Sequence, residues 1–233
     1  MRISRELAIK INYFIDSFIP PFIRDSDLIA KILFKLIYRS EFDIFFSFKK
    51  NVLNYSYKRY DEIYKRIKKH YLQRKTNLNN KCLKKILENV KGKSVIDVGC
   101  GDGYLIRMLD NKYKIVGCDI LIDDLVEKFN SNIKLVKARL EKLPFKSKSF
   151  DTVICTHTLE HIPDVISAIN ELKRITKKRL IVVVPKQRPY KYTFDLHVHF
   201  FPYEYSLLLF MRGGKKSLCE DVDGDLFYME DFS

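Results

Sequence analysis

In the longer, C-terminal part of the chain, short apolar runs alternate with segments whose apolar residues repeat at helical spacing. The runs are SVIDV (94–98), KIVGC (114–118), NIKLV (132–136), FDTVIC (150–155) and RLIVVV (179–184). The clearest helix between them covers residues 164–178. This alternation predicts an α/β fold with a mostly parallel sheet and helices on both faces. Beyond it, we predict a helix over residues 203–211 and a hairpin formed by residues 216–220 and 226–229.

The first part of the chain has a different pattern, in which basic and apolar positions both recur at helical spacing. Apolar residues in the first predicted helix are Leu28, Ile29, Ile32, Leu33, Leu36 and Ile37. Lys31, Lys35 and Arg39 form a basic stripe on another face, so the helix is amphipathic. A second basic helix is predicted over residues 55–71, with tyrosines and isoleucines along one face. Asn77 or Asn79 is a suitable N-cap for a third helix.

Charge is distributed unevenly along the chain. The formal net charge is +14, and most of the excess of Lys and Arg lies in residues 1–90. Such an excess favours an anionic partner: nucleic acid, a membrane surface or an acidic substrate. Together with the change of pattern, it predicts a basic helical extension over residues 1–77 and a second domain over residues 78–233.

Cysteine usage and hydropathy bear on the cellular location. The five cysteines include no pair at C-x-x-C spacing, and three lie in apolar runs, so we expect reduced thiols rather than disulfides or a zinc site. Within residues 1–50, the longest stretch without Asp, Glu, Lys or Arg, residues 17–23, is far shorter than the roughly 18–20 residues of a spanning helix. We therefore expect no transmembrane segment. We also expect no signal peptide, because the first ten residues carry charges throughout and no small-residue cleavage site follows. These features predict a cytoplasmic protein, with a peripheral membrane contact through residues 1–77 left open.

The segment VIDVGCGDGYL carries the clearest chemical pattern. Gly99, Gly101 and Gly103 alternate in a loop between a predicted strand and a predicted helix. Glycine lets the backbone turn tightly there and lets a ligand approach without meeting a side chain. In doubly wound sheets, nucleotide-like ligands bind at such a crossing. Asp119, at the end of the next predicted strand, can accept hydrogen bonds from both hydroxyls of a ribose.

The spacing and charge of this loop discriminate between cofactors. Its glycines follow G-x-G-x-G, whereas the dinucleotide fingerprint is G-x-G-x-x-G. Asp97 and Asp102 would repel a pyrophosphate brought to this turn, but they would attract a ligand that bears an ammonium group. This contrast favours S-adenosylmethionine (SAM) over NAD.

These motifs resemble those of the class I SAM-dependent methyltransferases, in the type-11 methyltransferase-domain group that includes ubiquinone- and menaquinone-modifying members. The resemblance covers roughly residues 78–185. VIDVGCGDGYL resembles the family's first motif, GCDI its acidic end of the second strand, and LEKLPFKSKSFDTVICTHTLEHIPD its run through the fourth strand. The resemblance implies a Rossmann-like, doubly wound sheet and SAM as the cofactor.

The resemblance also assigns cofactor contacts to the residues that match these motifs. The glycine loop would hold the methionine end of SAM. Asp119 would bind the ribose, Ile120 would pack near the adenine, and Thr156 would line the methyl-transfer face together with His157. The full set of expected cofactor contacts is Asp97, Gly99, Cys100, Gly101, Gly103, Asp119, Ile120, Leu140 and Thr156.

The chain departs from the family's pattern at one of these contacts. Members often carry Gly-Asp-Ala, whose Asp contacts the adenine amine, where this chain has Ala138-Arg139-Leu140. A guanidinium has no acceptor for an amine hydrogen. The backbone of Leu140 is then the group left to make this contact.

Two histidines follow the fourth predicted strand and bracket Glu160. His157 and His161 could act as a general base on a substrate hydroxyl. The alternative is a structural role in capping or orienting the following helix. Many enzymes of this family need no strong base, because aligning the nucleophile with the methyl group supplies much of the rate.

The segment after the last parallel strand supplies the substrate candidates, since open sheets place the substrate crevice at that edge. These candidates are Arg188, Tyr190, Tyr192, His197 and His199. Packing within a loop is an equally reasonable role for them. His197 and His199 would share one side of an extended chain, but the sequence offers no further obvious ligand cluster, and we expect no metal.

The motifs together predict transfer of a methyl group from SAM to a small-molecule or lipid-linked acceptor. An RNA methyltransferase is one alternative, although CTHTLEH after the fourth strand lacks the Asn/Asp-Pro-Pro-aromatic signature of amino-group nucleic-acid enzymes. A SAM-binding regulator or partner subunit without catalysis is another. The basic helices are open to three interpretations: a face docked on the core as a lid, a membrane-surface contact, or an RNA grip.

Overall fold

The computed structural model describes residues 14, 18–71, 76–109, 112–122, 133–192 and 195–232. The chain divides into two compact units. The helical unit comprises Met1–Arg74 and Arg188–Phe200, and the sheet unit comprises Lys75–Gln187 and Phe201–Ser233. The segment Arg188–Phe200, which follows the last parallel strand in sequence, thus belongs to the helical unit.

Helices occur in both units. Those of the helical unit are α1 (Pro21–Arg24), α2 (Asp27–Tyr38), α3 (Phe42–Asn51) and α4 (Tyr57–Tyr71). Those of the sheet unit are α5 (Asn80–Asn89), α6 (Tyr104–Leu109), α7 (Val165–Ile175) and α8 (Glu204–Met211). Short side chains cap two of them: Asn79 accepts the Cys82 N–H before α5, and Asp164 accepts the Ser167 N–H before α7.

A seven-stranded sheet lies at the centre of the sheet unit in the described part of the chain. Its strands are β1 (Ser94–Val98), β2 (Lys114–Asp119), β3 (Lys134–Lys137), β4 (Phe150–Thr156), β5 (Thr176–Pro185), β6 (Ser217–Val222) and β7 (Asp225–Asp231). The spatial order is β3-β2-β1-β4-β5-β7-β6. Strands β1 to β5 are parallel, and β7 runs antiparallel to both β5 and β6. The order reverses beside β1, so the fold is doubly wound with its switch point at the end of β1, as the sequence predicts.

The core of the sheet unit lies on both faces of this sheet. Alternate residues of the central strands enter two separate clusters of buried side chains. One cluster includes Ile96, Val98, Val153, Cys155, Leu180 and Val182. The other includes Val95, Ile154, Ile181, Val183 and Phe227. Because both faces are buried, the strands are continuous apolar runs rather than alternating ones, which is why the sequence reveals them clearly.

In the helical unit, the buried side of α2 differs from the one that the sequence suggests. Ala30, Phe34 and Tyr38 are buried, and the ring of Tyr38 stacks on Phe45 of α3 with centroids 3.7 Å apart. Most of the predicted apolar positions are exposed instead, namely Leu28, Ile32, Leu33 and Leu36. Aromatic packing thus selects one of two apolar faces for the interior. Among the described helices, none has the length and apolarity needed to cross a lipid bilayer.

Candidate active site

The glycine loop joins β1 to α6 in a left-handed backbone conformation. Gly99, Gly101 and Gly103 have φ angles of 75°, 52° and 69°. A Cβ atom at Gly99 would collide with the side chain of Thr158, whereas one at Gly101 would meet no heavy atom of the described residues within 4 Å. The loop therefore requires glycine on conformational grounds. On the side of Gly101 it also leaves room for a ligand.

Hydrogen bonds hold the loop against the end of β2. The backbone N–H groups of Gly99 and Cys100 both donate to the carbonyl of Cys118, at 2.7 and 3.1 Å. Asp119 accepts the Gly101 N–H through Oδ2 at 3.0 Å and the Leu121 N–H through Oδ1 at 2.8 Å. Each carboxylate oxygen has a second lone pair and can still accept a ribose hydroxyl. Asp119 thus shapes the loop, a role that the sequence does not reveal.

Asp97 is the buried acid of this site. It lies on β1, its side chain is almost fully buried, and its Oδ1 has no hydrogen-bond partner among the described residues. Burial, followed by the charge of Asp119, raises the pKa of Asp97 to about 7. A buried, unpaired carboxylate oxygen destabilises the fold unless a donor reaches it. The room beside Gly101 and this orphaned acceptor both fit a ligand with an ammonium group, so the residues present fit SAM.

The cysteines near the loop are packing residues in this structure. Cys100 and Cys118 are both buried, in clusters on opposite faces of the sheet. Burial raises the pKa of Cys118 to about 12 and that of Cys100 further still. Such thiols stay protonated and are poor nucleophiles.

The segment that begins at Ala138 lies beside Asp119. The Ala138 N–H donates to the Asp119 carbonyl at 3.2 Å, so the backbone leading to Leu140 passes close to the end of β2. The side chain of Leu140 is buried in the core, and Arg139 lies 3.6 Å from Glu141. Ile120, directly after Asp119, is half-buried. The contacts expected from Ile120 and Leu140 remain predictions.

His157 lies in a buried charge network after β4. Its φ is 49°, and its N–H donates to the Val183 carbonyl at 2.8 Å. Its Nδ1 lies 3.6 Å from Glu160 Oε1 and its Nε2 lies 3.5 Å from Asp225 Oδ2. Asn79 donates to the same Asp225 oxygen at 2.8 Å. The sequence pattern reveals neither Asp225 nor Asn79 as a partner, because both are distant along the chain.

This network bears on the expected chemistry of His157. Burial lowers the pKa of the imidazole, but Asp225 and Glu160 outweigh that effect and raise it to about 9. A protonated imidazole has no lone pair with which to accept a proton. The geometry therefore favours the structural role over that of a general base. His161, on the 3₁₀ turn Leu159–His161, is more exposed and lies 3.9 Å from Glu160, so it is the better placed of the two for proton transfer.

Comparison with known proteins shows what this region is similar to. Residues 96–184 match the family model described as a methyltransferase domain. The match includes the glycine loop, Asp119 and the turn at His157. Residues 96–184 are thus similar to a methyltransferase domain, and this region is called the methyltransferase domain for that similarity.

The methyltransferase domain is similar to curated proteins with different acceptors. A tRNA U34 carboxymethyltransferase from Nautilia profundicola is 39% identical over 93 residues, which cover 36% of this chain and 31% of that protein. A ubiquinone biosynthesis O-methyltransferase from Paracidovorax citrulli is 33% identical over 100 residues, which cover 39% and 42%. The chain thus spans less than half the length of these relatives. A SAM-dependent methyltransferase structure from Thermotoga maritima shares the fold, with 18% identity and a TM-score of 0.55 over 76% of this chain and 98% of that one.

The expected substrate residues lie outside the methyltransferase domain, in the Arg188–Phe200 segment of the helical unit. Tyr192 has a structural role there: its hydroxyl donates to Asp27 at 2.7 Å, and its ring stacks on Phe46 with centroids 4.8 Å apart. Burial, then Asp27, raises the pKa of Tyr192 to about 12. The ring of Tyr190 lies 4.8 Å below the guanidinium of Arg24.

The other three expected substrate residues of the segment differ in exposure. Arg188 is exposed, His199 is half-buried, and His197 lies 3.4 Å from Asp195. Lys49, which the sequence does not single out, donates to the Tyr190 carbonyl, and burial lowers its pKa to about 8. Arg188 and His199 remain substrate candidates on this basis, as predictions.

Proposed function

We propose that this protein transfers a methyl group from SAM to a small-molecule or lipid-linked acceptor. One observation carries the proposal: among the described residues, the buried Asp97 of β1 has an oxygen without a hydrogen-bond partner, and the glycine loop that follows leaves open space beside Gly101. A cationic amino group is the donor that such an oxygen accommodates best. The match of residues 96–184 to a methyltransferase domain supports the same cofactor.

Each side chain of the site has a defined task in this proposal. SAM supplies a methyl group on a positively charged sulfonium. Asp97 accepts hydrogen bonds from the amino group of the cofactor, and Asp119 accepts them from the ribose hydroxyls while it holds the loop in shape. The buried charge network of His157 fixes the turn after β4, so that Thr156 lines the transfer face. The protein then acts chiefly by alignment of the nucleophile with the methyl group.

Any proton lost by the acceptor has a candidate recipient in His161. We assign this task to His161 rather than His157, because the two carboxylate neighbours of His157 raise its pKa. An acceptor that is already anionic or weakly acidic needs no such base. Ionised phenols and activated carbon acids are acceptors of this kind.

The cofactor assignment is tested by the Asp119→Ala variant. Removing both ribose acceptors is expected to weaken SAM binding by at least about tenfold, as measured by calorimetry. Glu88→Ala is the matched control, because Glu88 is an exposed acid on α5 in the same unit. Equal SAM affinity of the two variants would contradict the assignment.

The acceptor class is tested with labelled SAM. The protein is incubated with methyl-labelled SAM and separate pools of lipids, water-soluble metabolites and RNA. Label in the lipid or metabolite pool supports the proposal. Label in RNA, with binding that weakens steeply as salt rises, would replace it with the RNA alternative, which the similarity to tRNA U34 carboxymethyltransferases favours. SAM binding without transfer to any pool would favour a regulatory protein.

A further inference from the structure

Helix α2 carries apolar side chains on two nearly opposite sides. The side turned into the helical unit is the line Ala30, Phe34 and Tyr38. A second line, displaced by two positions, consists of Leu28, Ile32 and Leu36, which are 69%, 53% and 70% exposed. Two positions on a helix correspond to about 200° of rotation, so the second line faces solvent. Solvent-facing positions of a helix are ordinarily polar.

Further large apolar side chains are exposed in the same part of the chain. Phe14, Phe18 and Phe22 are each more than half exposed, and the first two rings lie with centroids 5.4 Å apart. Together these exposed side chains form what we call the outer apolar surface: Phe14, Phe18, Phe22, Leu28, Ile32, Leu33 and Leu36. Single exposed apolar residues are common, but a concentration of this kind indicates an interaction surface.

The charged side chains of α2 that follow Leu28 are all basic. Lys31 and Lys35 are exposed on α2, at angular positions between the outer line and the buried line. From Leu28 to the end of α2 there is no Asp or Glu. Asp27, at the start of the helix, already receives hydrogen bonds from Lys191 and from Tyr192, so its charge is offset within the unit.

We propose that the outer apolar surface binds the face of a lipid bilayer that contains anionic headgroups. Leu, Ile and Phe side chains would enter the boundary between headgroups and acyl chains, and Lys31 and Lys35 would meet the anionic headgroups. A second copy of the chain fits less well, because it would bring the same lysines together. An RNA strand would leave the aliphatic side chains of the outer line without a partner.

Binding of this surface to a bilayer would place the proposed methyl transfer at a membrane. The membrane contact does not depend on the proposed function. An enzyme held at a bilayer meets lipid-linked acceptors at high local concentration. The membrane contact itself requires only the described residues of α1, α2 and the two phenylalanines before them. The two proposals can therefore succeed or fail separately.

Co-sedimentation of the full chain with vesicles tests the inference. Vesicles of phosphatidylcholine, with and without phosphatidylglycerol, are compared. The chain is expected to sediment with the anionic vesicles. The double variant Ile32→Ser, Leu36→Ser is expected to lower the partition coefficient by about tenfold or more. The double variant Leu53→Ser, Leu209→Ser is the matched control, because both leucines are exposed outside this surface.

A second variant separates the electrostatic part from the apolar part. Lys31→Gln with Lys35→Gln is expected to lower partition onto anionic vesicles by about tenfold. Partition onto neutral vesicles should stay the same. SAM affinity, measured by calorimetry on the same preparations, should be equal in all variants and in the native chain.

Three results would overturn the inference. The native chain could fail to sediment with anionic vesicles. The control could lose binding as fully as Ile32→Ser, Leu36→Ser. Sedimentation velocity could show a native dimer that only Ile32→Ser, Leu36→Ser dissociates, which would make a second copy the occupant. A native chain that binds vesicles but not SAM would leave this inference intact and contradict the proposed function.

Discussion

The two units differ in how their buried acids are paired and in where they expose large apolar side chains. The sheet unit buries ionisable groups: Asp97 beneath the glycine loop, and His157 between Glu160 and Asp225. The helical unit also buries an acid, Glu41, but pairs it with Arg66 at 2.6 Å, and it exposes large apolar side chains along α2. Burying a charge is costly and is retained where it builds a site. The contrast teaches that the sheet unit is organised around a ligand and the helical unit around an external surface.

The largest expected effect is a core truncation in the sheet unit. Leu172 on α7 is fully buried in the cluster that covers one face of the sheet. Leu172→Ala is expected to lower the free energy of unfolding by about 3 kcal/mol, through lost burial and the cavity left behind. Chemical denaturation, followed by circular dichroism, measures it. A loss below about 1 kcal/mol would mean that this face is loosely packed.

The buried charge network should give the sheet unit a distinctive pH dependence. The pKa of His157 is about 9 in the folded protein and 6.5 in the reference state. Because the folded value is the higher one, the stabilisation is complete below pH 6.5 and is lost as the pH rises through 9. We expect the native chain to lose roughly 3 kcal/mol of stability over that range.

The variant His157→Gln removes the part of the pH dependence of stability that is due to His157. Comparison with the native chain therefore separates this part from the titration of other groups. The variant should be less stable than the native chain at neutral pH, because two buried carboxylates lose their counter-charge. At pH 10 the two proteins should approach one another. Parallel stability curves, at a constant offset across the range, would show that His157 is neutral in the fold.

A smaller effect is expected on SAM affinity through Asp97. The pKa of Asp97 is about 7 without ligand, so at lower pH the ammonium group must displace a proton from the carboxyl. Affinity should therefore weaken by up to about tenfold per pH unit below 7. Asp97→Asn should bind SAM more weakly at pH 8 and show no such slope. Calorimetry in two buffers of different ionisation enthalpy measures the proton release, and a native affinity independent of pH would contradict it.

The smallest effect belongs to the outer apolar surface. Leu36→Ala removes an exposed side chain and keeps a strong helix former, so the free energy of unfolding should change by less than about 0.5 kcal/mol. The change in the free energy of unfolding caused by Leu172→Ala is the reference for comparison. A loss comparable to that at Leu172 would show that Leu36 is buried in solution and would remove the contrast between the units.

The sequence predicts the sheet well because its physical signal is local. Strands buried on both faces are continuous apolar runs, and the spacing of the three glycines identifies the loop. The sequence does not identify the buried side of α2, since both apolar lines have the same helical period. It also misses Asp225 as the partner of His157 and Asn79 as the partner of Asp225, because the β5–β7 pairing and the position of α5 bring these distant residues together.

The site is predictable to a similar extent. The sequence identifies Asp97 and Asp119 as acids at the ends of strands. The hydrogen bond by which Asp119 holds the glycine loop is seen only in the folded structure. The role of Tyr192 is also hidden in the sequence, since its partners Asp27 and Phe46 precede it by more than a hundred residues.

The most direct test of the account is calorimetric titration of the native chain with SAM, S-adenosylhomocysteine and NADH. The account predicts one site per chain for the first two ligands, with micromolar affinity, and no binding of NADH. Binding of NADH in preference to SAM would contradict the assignment of Asp97 to an ammonium group. If none of the three ligands binds, the result would contradict a ligand site in the glycine loop.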